Sequence, residues 1–241
     1  MYRNRWRTPL AAASVMAAAA VVLAACGGSP ASRVNAVGST ASAGTVQQPG
    51  PITPAKLVGA LLTRINGAPA ARPAAGGRYD SLPQVKAVEQ QVQAAGVAPM
   101  PCARTALTGI QSGALAGAPA AAVSFKVGRN GVSEMLAAPT RAAAGAVLRR
   151  GLPASCSHYQ AAAGGQEIQY TAEEHSIDGI GEQARVLNVR AVGQPDGDIW
   201  SVVFRGAGFI GSITVVGPNA SELAVRELGL QAYGFAAKSL G

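Results

Sequence analysis

The chain is poor in charged and aromatic residues and in the residue types that enzymes use for catalysis. Of its 241 residues, 13% are charged and 5% are aromatic, and there are two histidines and three cysteines. The histidines, His158 and His175, are not spaced as a metal-binding pair, and no Gly-x-Ser-x-Gly segment marks a serine nucleophile. The sequence therefore predicts no enzyme, no cofactor and no metal site.

Two acidic or histidine-containing segments nevertheless allow a hydrolytic interpretation. His175 is followed closely by Ser176 and Asp178, but triad members normally come from separate elements. An exposed histidine at a strand end is the preferred interpretation. Glu173 and Glu174 are neighbours on a predicted strand, so their side chains point to opposite faces and cannot act as a carboxylate pair.

The basic residues are scattered along the chain. Three of the 20 lie among the first seven residues and there are 12 acidic residues, so the remainder carries a net charge of +5. The longest run of basic residues is Arg149-Arg150. Nucleic-acid binding would require a dense basic stripe, and it is excluded on this pattern.

The first 26 residues have the pattern of an export signal. Three arginines precede an apolar run of 16 residues, from Leu10 to Ala25, which ends in Leu23-Ala24-Ala25-Cys26. The run is shorter than the roughly 20 residues that span a bilayer. This end resembles the lipobox of bacterial lipoproteins, which implies removal of residues 1–25 and acylation of Cys26, palmitate included. The resemblance places the protein on the extracytoplasmic face of the cell membrane, held by lipid.

The rest of the chain divides into a tether and one domain. Residues 26–52 are rich in Gly, Ser, Pro and Gln without apolar periodicity, so we expect a flexible tether. Residues 53–241 are predicted to form a single domain. Cys102 and Cys156 are an even pair in an oxidising compartment, which favours a disulfide bond. A metal site or two free thiols are the alternatives.

Hydrophobic periodicity predicts an α+β domain. Thr53, the Ser81–Gln84 pair, Thr140 and Asn219 are expected to cap helices, and residues 122–138 are expected to form a hairpin turning at Asn130-Gly131. Further strands are predicted at 167–174, 184–192, 199–205 and 210–216, and a short helix is predicted over 103–110. The result is an antiparallel sheet of five or six strands with helices on one face, including a final helix that faces the sheet through Leu223, Leu230 and Phe235.

Residues 206–211, Gly-Ala-Gly-Phe-Ile-Gly, match the Gly-x-Gly-x-x-Gly consensus of dinucleotide-binding proteins. That consensus requires a following helix, whereas these residues join two predicted strands. Their glycines are therefore predicted to form a turn.

Four aromatic residues form the candidate binding site. Trp200 and Phe204 share the parity of Val202, so they point to one face of the sheet. They could belong to the core against the final helix, or they could line a ligand cleft between sheet and helices, with contributions from Phe209 and Tyr170.

The order of motifs resembles a known family. Cys102, the loop Leu-Pro-Ala-Ser-Cys156-Ser-His-Tyr, the turn Gly179-Ile-Gly-Glu-Gln, a Trp-bearing strand and an Ala-rich final helix are similar to mycobacterial and actinobacterial cell-envelope lipoproteins. Their domain resembles the extracellular sensor domain of actinobacterial serine/threonine kinases. The resemblance, over residues 53–241, implies a non-catalytic binding or sensor-like module for a small or lipidic ligand. A lipoprotein that docks another envelope protein and an envelope hydrolase are the alternatives.

Overall fold

The computed structural model describes residues 51–95, 102, 112–163, 166–193 and 198–241. The predicted leader, most of the tether and the predicted helix over 103–110 lie outside these residues. Within them, five α-helices are α1 (Pro54–Gly59), α2 (Pro83–Ala94), α3 (Ser112–Leu115), α4 (Arg141–Arg150) and α5 (Glu222–Leu240). In the described part of the chain, no helix combines the length and apolarity that crossing a membrane requires.

In the part of the chain that the structure describes, ten strands form two sheets. β1 (Arg64–Ile65) and β2 (Ala68–Pro69) make a small hairpin, which turns at Asn66 and Gly67, both with positive φ. The large sheet contains eight strands: β3 (Ala75–Arg78), β4 (Pro119–Val127), β5 (Asn130–Ala137), β6 (His158–Ala163), β7 (Gln166–Ile177), β8 (Gln183–Ala191), β9 (Ile199–Gly206) and β10 (Phe209–Val216). Their order across the sheet is β3-β4-β5-β10-β9-β8-β7-β6, and every neighbouring pair is antiparallel.

The expectation of five or six strands was wrong because it missed both edges of the sheet. β3 has the sequence Ala-Gly-Gly-Arg and β6 has His-Tyr-Gln-Ala-Ala-Ala, so neither contains a β-branched residue. Strand propensity depends largely on packing against neighbouring strands. Here β4 and β7 supply the ladder partners for the two edges, which local composition does not reveal.

Helices cover both faces of the sheet, not one as predicted. We call the side packed against α1 and α5 the first face; its buried strand residues include Val123, Leu136, Val202, Phe204 and Ile213. The opposite side, the second face, packs against α2, α3 and α4 and includes Ala122, Met135, Val203 and Ile210. Because β4, β5, β9 and β10 are apolar at both parities, the centre of the sheet must be covered on both sides.

The β4–β5 hairpin forms, but its turn precedes the predicted one. Val127 pairs with Asn130 and Lys126 with Gly131, so the turn lies at Gly128-Arg129 and Gly128 has a φ of 58°. Asn130 instead uses its Oδ1 to accept a hydrogen bond from the Asn219 backbone at 3.2 Å. The second turn prediction is confirmed in part: β9 and β10 form a hairpin that turns at Ala207 and Gly208, whereas Gly206 and Gly211 lie within the strands.

Two of the four predicted helix caps are present. Thr53 Oγ1 and Thr140 Oγ1 each accept a hydrogen bond from the backbone N–H three residues later, at 3.3 Å. Helix α2 instead begins after Leu82 without a side-chain cap, and Ser81 Oγ donates to Arg78 O. Helix α5 is capped by Ser221, not by Asn219.

Helix α5 packs through different residues from those predicted. Leu223, Leu230 and Phe235 are 68%, 50% and 39% exposed. The buried positions of α5 are mostly small, namely Val225, Leu228, Gly229, Ala232 and Ala236. The sheet side chains beneath the helix are already large, so the core has room only for small residues on the helix.

The predicted disulfide bond joins Cys102 to Cys156, with the two Cα atoms 5.1 Å apart. Both cysteines are buried in a third apolar cluster with Val92 of α2, Tyr159 of β6 and Val189 of β8. The bond thus links the segment that follows α2 to the outer strands of the sheet.

Candidate functional site

The structure does not bring the four predicted cleft residues together. Phe204, Phe209 and Trp200 lie on the first face, whereas Tyr170 lies on the second. Tyr170 pairs with Ala191 across β7 and β8, and Trp200 pairs with Asn188 across β8 and β9, so the two aromatic rings point to opposite sides. Parity within one strand was predictable, but the registers that relate β7 to β9 were not.

Phe204 and Phe209 are core residues. Both are fully buried, and the Tyr233 ring of α5 lies 5.9 Å from the Phe204 ring and 6.3 Å from the Phe209 ring, measured between centroids. Glycines make room for them: a Cβ atom at Gly211 would clash with the Phe204 ring, and one at Gly206 would clash with the Phe209 ring. This part of the predicted cleft is filled by protein.

The outer strands leave a polar surface on the first face. Helix α5 packs across β8, β9 and β10, and α1 packs against β3 and β4. Beyond α5, most of the described polar side chains of β6, β7 and β8 on this side are exposed or half-buried. We call this surface the polar platform; it comprises His158, Gln160, Gln169, Thr171, Glu173, His175, Arg190 and the half-buried Trp200.

A groove of about 360 Å³ opens on the polar platform. Gln160 pairs with Gln169 and His158 with Thr171 across β6 and β7, which places two amides, an imidazole and a hydroxyl at its base. Such groups both donate and accept hydrogen bonds. The groove is lined by His158, Tyr159, Gln160, Gln169, Tyr170, Thr171 and Val192.

Trp200 is held at the border of the polar platform. The Arg190 guanidinium lies 5.9 Å from the centre of the Trp200 ring, and Arg190 Nε lies 3.5 Å from Asp198 Oδ2. Asn188 is buried beside the ring and donates from Nδ2 to the Ile199 carbonyl at 3.2 Å. A cation held over an aromatic ring contributes about 0.5–1 kcal/mol at an exposed site.

The two tyrosines beneath the groove are neutral. Their rings stack at 5.1 Å, almost parallel, within the third apolar cluster. Burial raises the pKa of both phenols, and the neighbouring Tyr170 phenol raises the pKa of Tyr159 further. The groove therefore gains no negative charge from them at neutral pH.

The histidines do not take part in a triad within the described residues. Ser157 Oγ lies 3.1 Å from His158 Nδ1, and His175 Nε2 lies 3.2 Å from Glu222 Oε1, but these contacts do not join a serine, a histidine and an acid. Arg226 also donates to Glu222. The described ranges contain no group of three metal-ligating residues.

Sequence reasoning missed two buried carboxyl groups. Glu134, on β5, is completely buried on the first face. The available signal was its parity, since Glu134 alternates with Val132 and Leu136, both core residues. A charged residue is uncommon at a strand position whose side chain points into the core, so its presence there is informative.

The second carboxyl group, Glu174, forms an ion pair with Arg185 on the second face. Arg185 Nε lies 2.7 Å from Glu174 Oε1, and the two side chains are 5% and 15% exposed. Glu174 also accepts a hydrogen bond from the Leu152 backbone, which ties the loop after α4 to the sheet. Burial lowers the pKa of Arg185, and the Glu174 carboxylate opposes this effect. Glu173 is exposed on the first face, and the prediction that the two carboxyl groups point to opposite faces is confirmed.

Comparison with known proteins identifies a related fold. No family model and no curated protein matches the sequence. The extracellular domain of PknH from Mycobacterium tuberculosis is similar in structure, with a TM-score of 0.51 and 11% identity, over 80% of this chain and 98% of that domain. An uncharacterised protein of Mycobacterium smegmatis, the Rv0999 ortholog, gives a TM-score of 0.34 and 14% identity, over 70% of this chain and 85% of that one. The first similarity supports the predicted resemblance at the level of the fold.

Proposed function

We propose that this chain is a non-catalytic, sensor-like binding domain of the cell envelope, anchored on the extracytoplasmic face of the membrane by lipid on Cys26. Its fold is similar to an extracellular domain across nearly the whole length of that domain, which is the observation that carries the proposal. The apolar leader ending at Cys26 and the Cys102–Cys156 disulfide are consistent with export.

The groove on the polar platform is the proposed binding site. Pockets that bind ligands specifically combine a concave shape with a few fixed polar groups. Here the amides of Gln160 and Gln169 and the Thr171 hydroxyl are uncharged, so we infer a neutral polar ligand in preference to a lipidic one. The Trp200 ring lies on the same face, two strands away from β7, and offers a flat apolar surface.

An interaction with another envelope protein is the second candidate function. Leu223 and Leu230 are seven residues apart on α5, so they lie on one side of the helix, and both are at least half exposed. Two exposed leucines on one helix face are an observation that favours a protein partner. The groove and this helix surface can be tested separately.

Tryptophan fluorescence can test the groove, because the chain contains only Trp6 and Trp200. In a Trp6→Phe chain, emission reports on Trp200 alone. We expect soluble cell-wall glycan fragments to shift this emission saturably, and we expect Gln160→Ala with Gln169→Ala to weaken binding about tenfold, since each lost hydrogen bond costs about 0.5–1.5 kcal/mol.

Gln231→Ala on α5 is the matched control, since it removes the same amide from an exposed site away from the groove. The control should bind within about twofold of the parent chain. If Gln231→Ala lost as much binding as the Gln160→Ala, Gln169→Ala double variant, the groove would be rejected as the site. Retained binding in the double variant together with loss in Leu230→Ser would favour the helix surface.

A further inference from the structure

Glu134 occupies the middle of the core between the sheet and α1. It lies on β5, one of the central strands, opposite Val123 of β4 and Ile213 of β10. No part of the residue is accessible to solvent. The apolar residues Leu57 and Leu61 belong to the same cluster on the first face.

The carboxyl group has one hydrogen bond in the described part of the chain. Glu134 Oε2 accepts from the Leu62 backbone N–H at 2.8 Å. Glu134 Oε1 is buried and has no hydrogen-bond partner there. Leu62 lies three residues after the end of α1, so this bond connects β5 to the segment that leads into the domain.

No described charge compensates Glu134 if it ionises. Most charged side chains of the elements around Glu134 are exposed, and Glu222 contacts Arg226 and His175. The charged residues of these elements are Lys56, Arg64, Lys126, Glu222, Arg226, Glu227 and Lys238. Burial raises the pKa of Glu134 from 4.5 to about 7, and the Leu62 hydrogen bond opposes this effect more weakly. An ionised carboxylate without a partner is costly in an apolar core.

We propose that Glu134 is a proton-controlled latch: residues 51–65 stay packed on the sheet while its carboxyl group is protonated, and they open locally when it ionises. β5 is paired with β4 on one side and with β10 on the other, so moving it would break two sets of ladder hydrogen bonds. The α1 segment is a helix of six residues and a two-residue strand, and lifting it would let water reach the carboxylate. This is the least costly way to hydrate the charge.

The direction of the pH effect follows from linkage. The closed form binds the proton more tightly than the open form, in which the carboxyl group has an ordinary pKa. The packing of α1 is therefore fully stabilised below about pH 4.5, loses stability as the pH rises, and reaches its lowest stability above about pH 7. Opening would loosen the connection between the predicted tether and the sheet.

Hydrogen exchange on the full chain can test the latch. After correction for the intrinsic pH dependence of amide exchange, the open population of peptides within 54–65 should rise about tenfold between about pH 6 and about pH 8.5. The size of the rise follows from the difference between the pKa of Glu134 in the open form and its pKa in the closed form. Peptides from β9 and β10 should show no such change. In Glu134→Gln, the open population should be independent of pH, because glutamine does not titrate.

Two results would overturn the latch. One is a wild-type chain whose α1 peptides exchange with no pH dependence, and the other is a Glu134→Gln chain with the wild-type dependence. If Glu134→Gln does not fold, infrared spectroscopy of the wild-type chain decides. A buried protonated-carboxyl band that disappears around pH 7 supports the proposal, and the absence of such a band at about pH 5 rejects it. The proposed ligand groove lies on other strands, so its failure would leave this test unaffected.

Discussion

At the scale of single residues, small side chains decide how closely α5 approaches the sheet. A Cβ atom at Gly229 would lie 2.7 Å from Val202 Cγ1, and the position is buried. Gly234, on the same helix, is exposed, and a Cβ atom there would have nothing within 4 Å. The same residue type therefore has opposite roles at two positions of one helix.

Gly229→Ala should lower the free energy of unfolding by about 1–3 kcal/mol, because the added methyl group overpacks the contact with Val202. Gly234→Ala should raise it by up to about 1 kcal/mol, because alanine is the better helix former. Denaturant unfolding of the two variants beside the parent chain measures both. Equal shifts of the same sign would contradict the proposed close packing of α5.

At the scale of elements, the disulfide bond joins the segment that follows α2 to the outer part of the large sheet. Cys102 follows α2, and Cys156 lies in a short 3-10 helix just before the edge strand β6. The third apolar cluster surrounds both cysteines. Because an edge strand pairs on one side only, we expect β6 to depend on this bond more than the central strands do.

The Cys102→Ala, Cys156→Ala double variant should lose about 2–5 kcal/mol of unfolding free energy, since the bond closes a loop across 54 positions. The wild-type chain under reducing conditions should behave in the same way. Alkylation of the non-reduced chain should leave both cysteines unmodified. Labelling of both would show that the bond is absent.

Helices and strands were predicted correctly where apolar or β-branched residues recur regularly, and they were missed where only packing against neighbouring strands stabilises them. The four strands β7 to β10 were expected from their alternating and β-branched residues, and α4 was expected from its threonine cap. The edge strands β3 and β6 were missed because alanine and glycine carry little strand signal. The position of the β4–β5 turn was missed because Asn130 hydrogen-bonds to a distant part of the chain.

At the scale of the whole molecule, an eight-stranded sheet is wider than the helices that cover it. On the first face, α1 and α5 cover β3, β4 and β8 to β10, and the outer strands carry the polar platform. This arrangement separates an apolar centre from a polar surface, which carries the proposed groove. The proposed lipid anchor would keep that surface outside the cytoplasm.

Cys26→Ala tests the anchor. The parent chain should be found in the membrane fraction with a mass that exceeds the cleaved chain by a lipid adduct, because two acyl chains suffice for stable membrane attachment. Cys26→Ala should be released or remain unprocessed, whereas the nearby Ser29→Ala should behave like the parent chain. A parent chain found in the cytosol with residues 1–25 intact would reject the proposed location.

Sequence patterns alone determined the features that depend on local chemistry. These are the strands with a regular alternation and the shared side of the sheet to which Trp200 and Phe204 point; the export leader stays a prediction of the same local kind. The even pair of cysteines favoured a Cys102–Cys156 bond over a metal site or free thiols, and the structure contains that bond. Tertiary structure alone decided the edge strands, the coverage of both faces, the separation of Tyr170 from Trp200 and the burial of Glu134. The reason is physical: parity within a strand is set by the backbone, but register, sheet width and burial are set by partners far away in the chain.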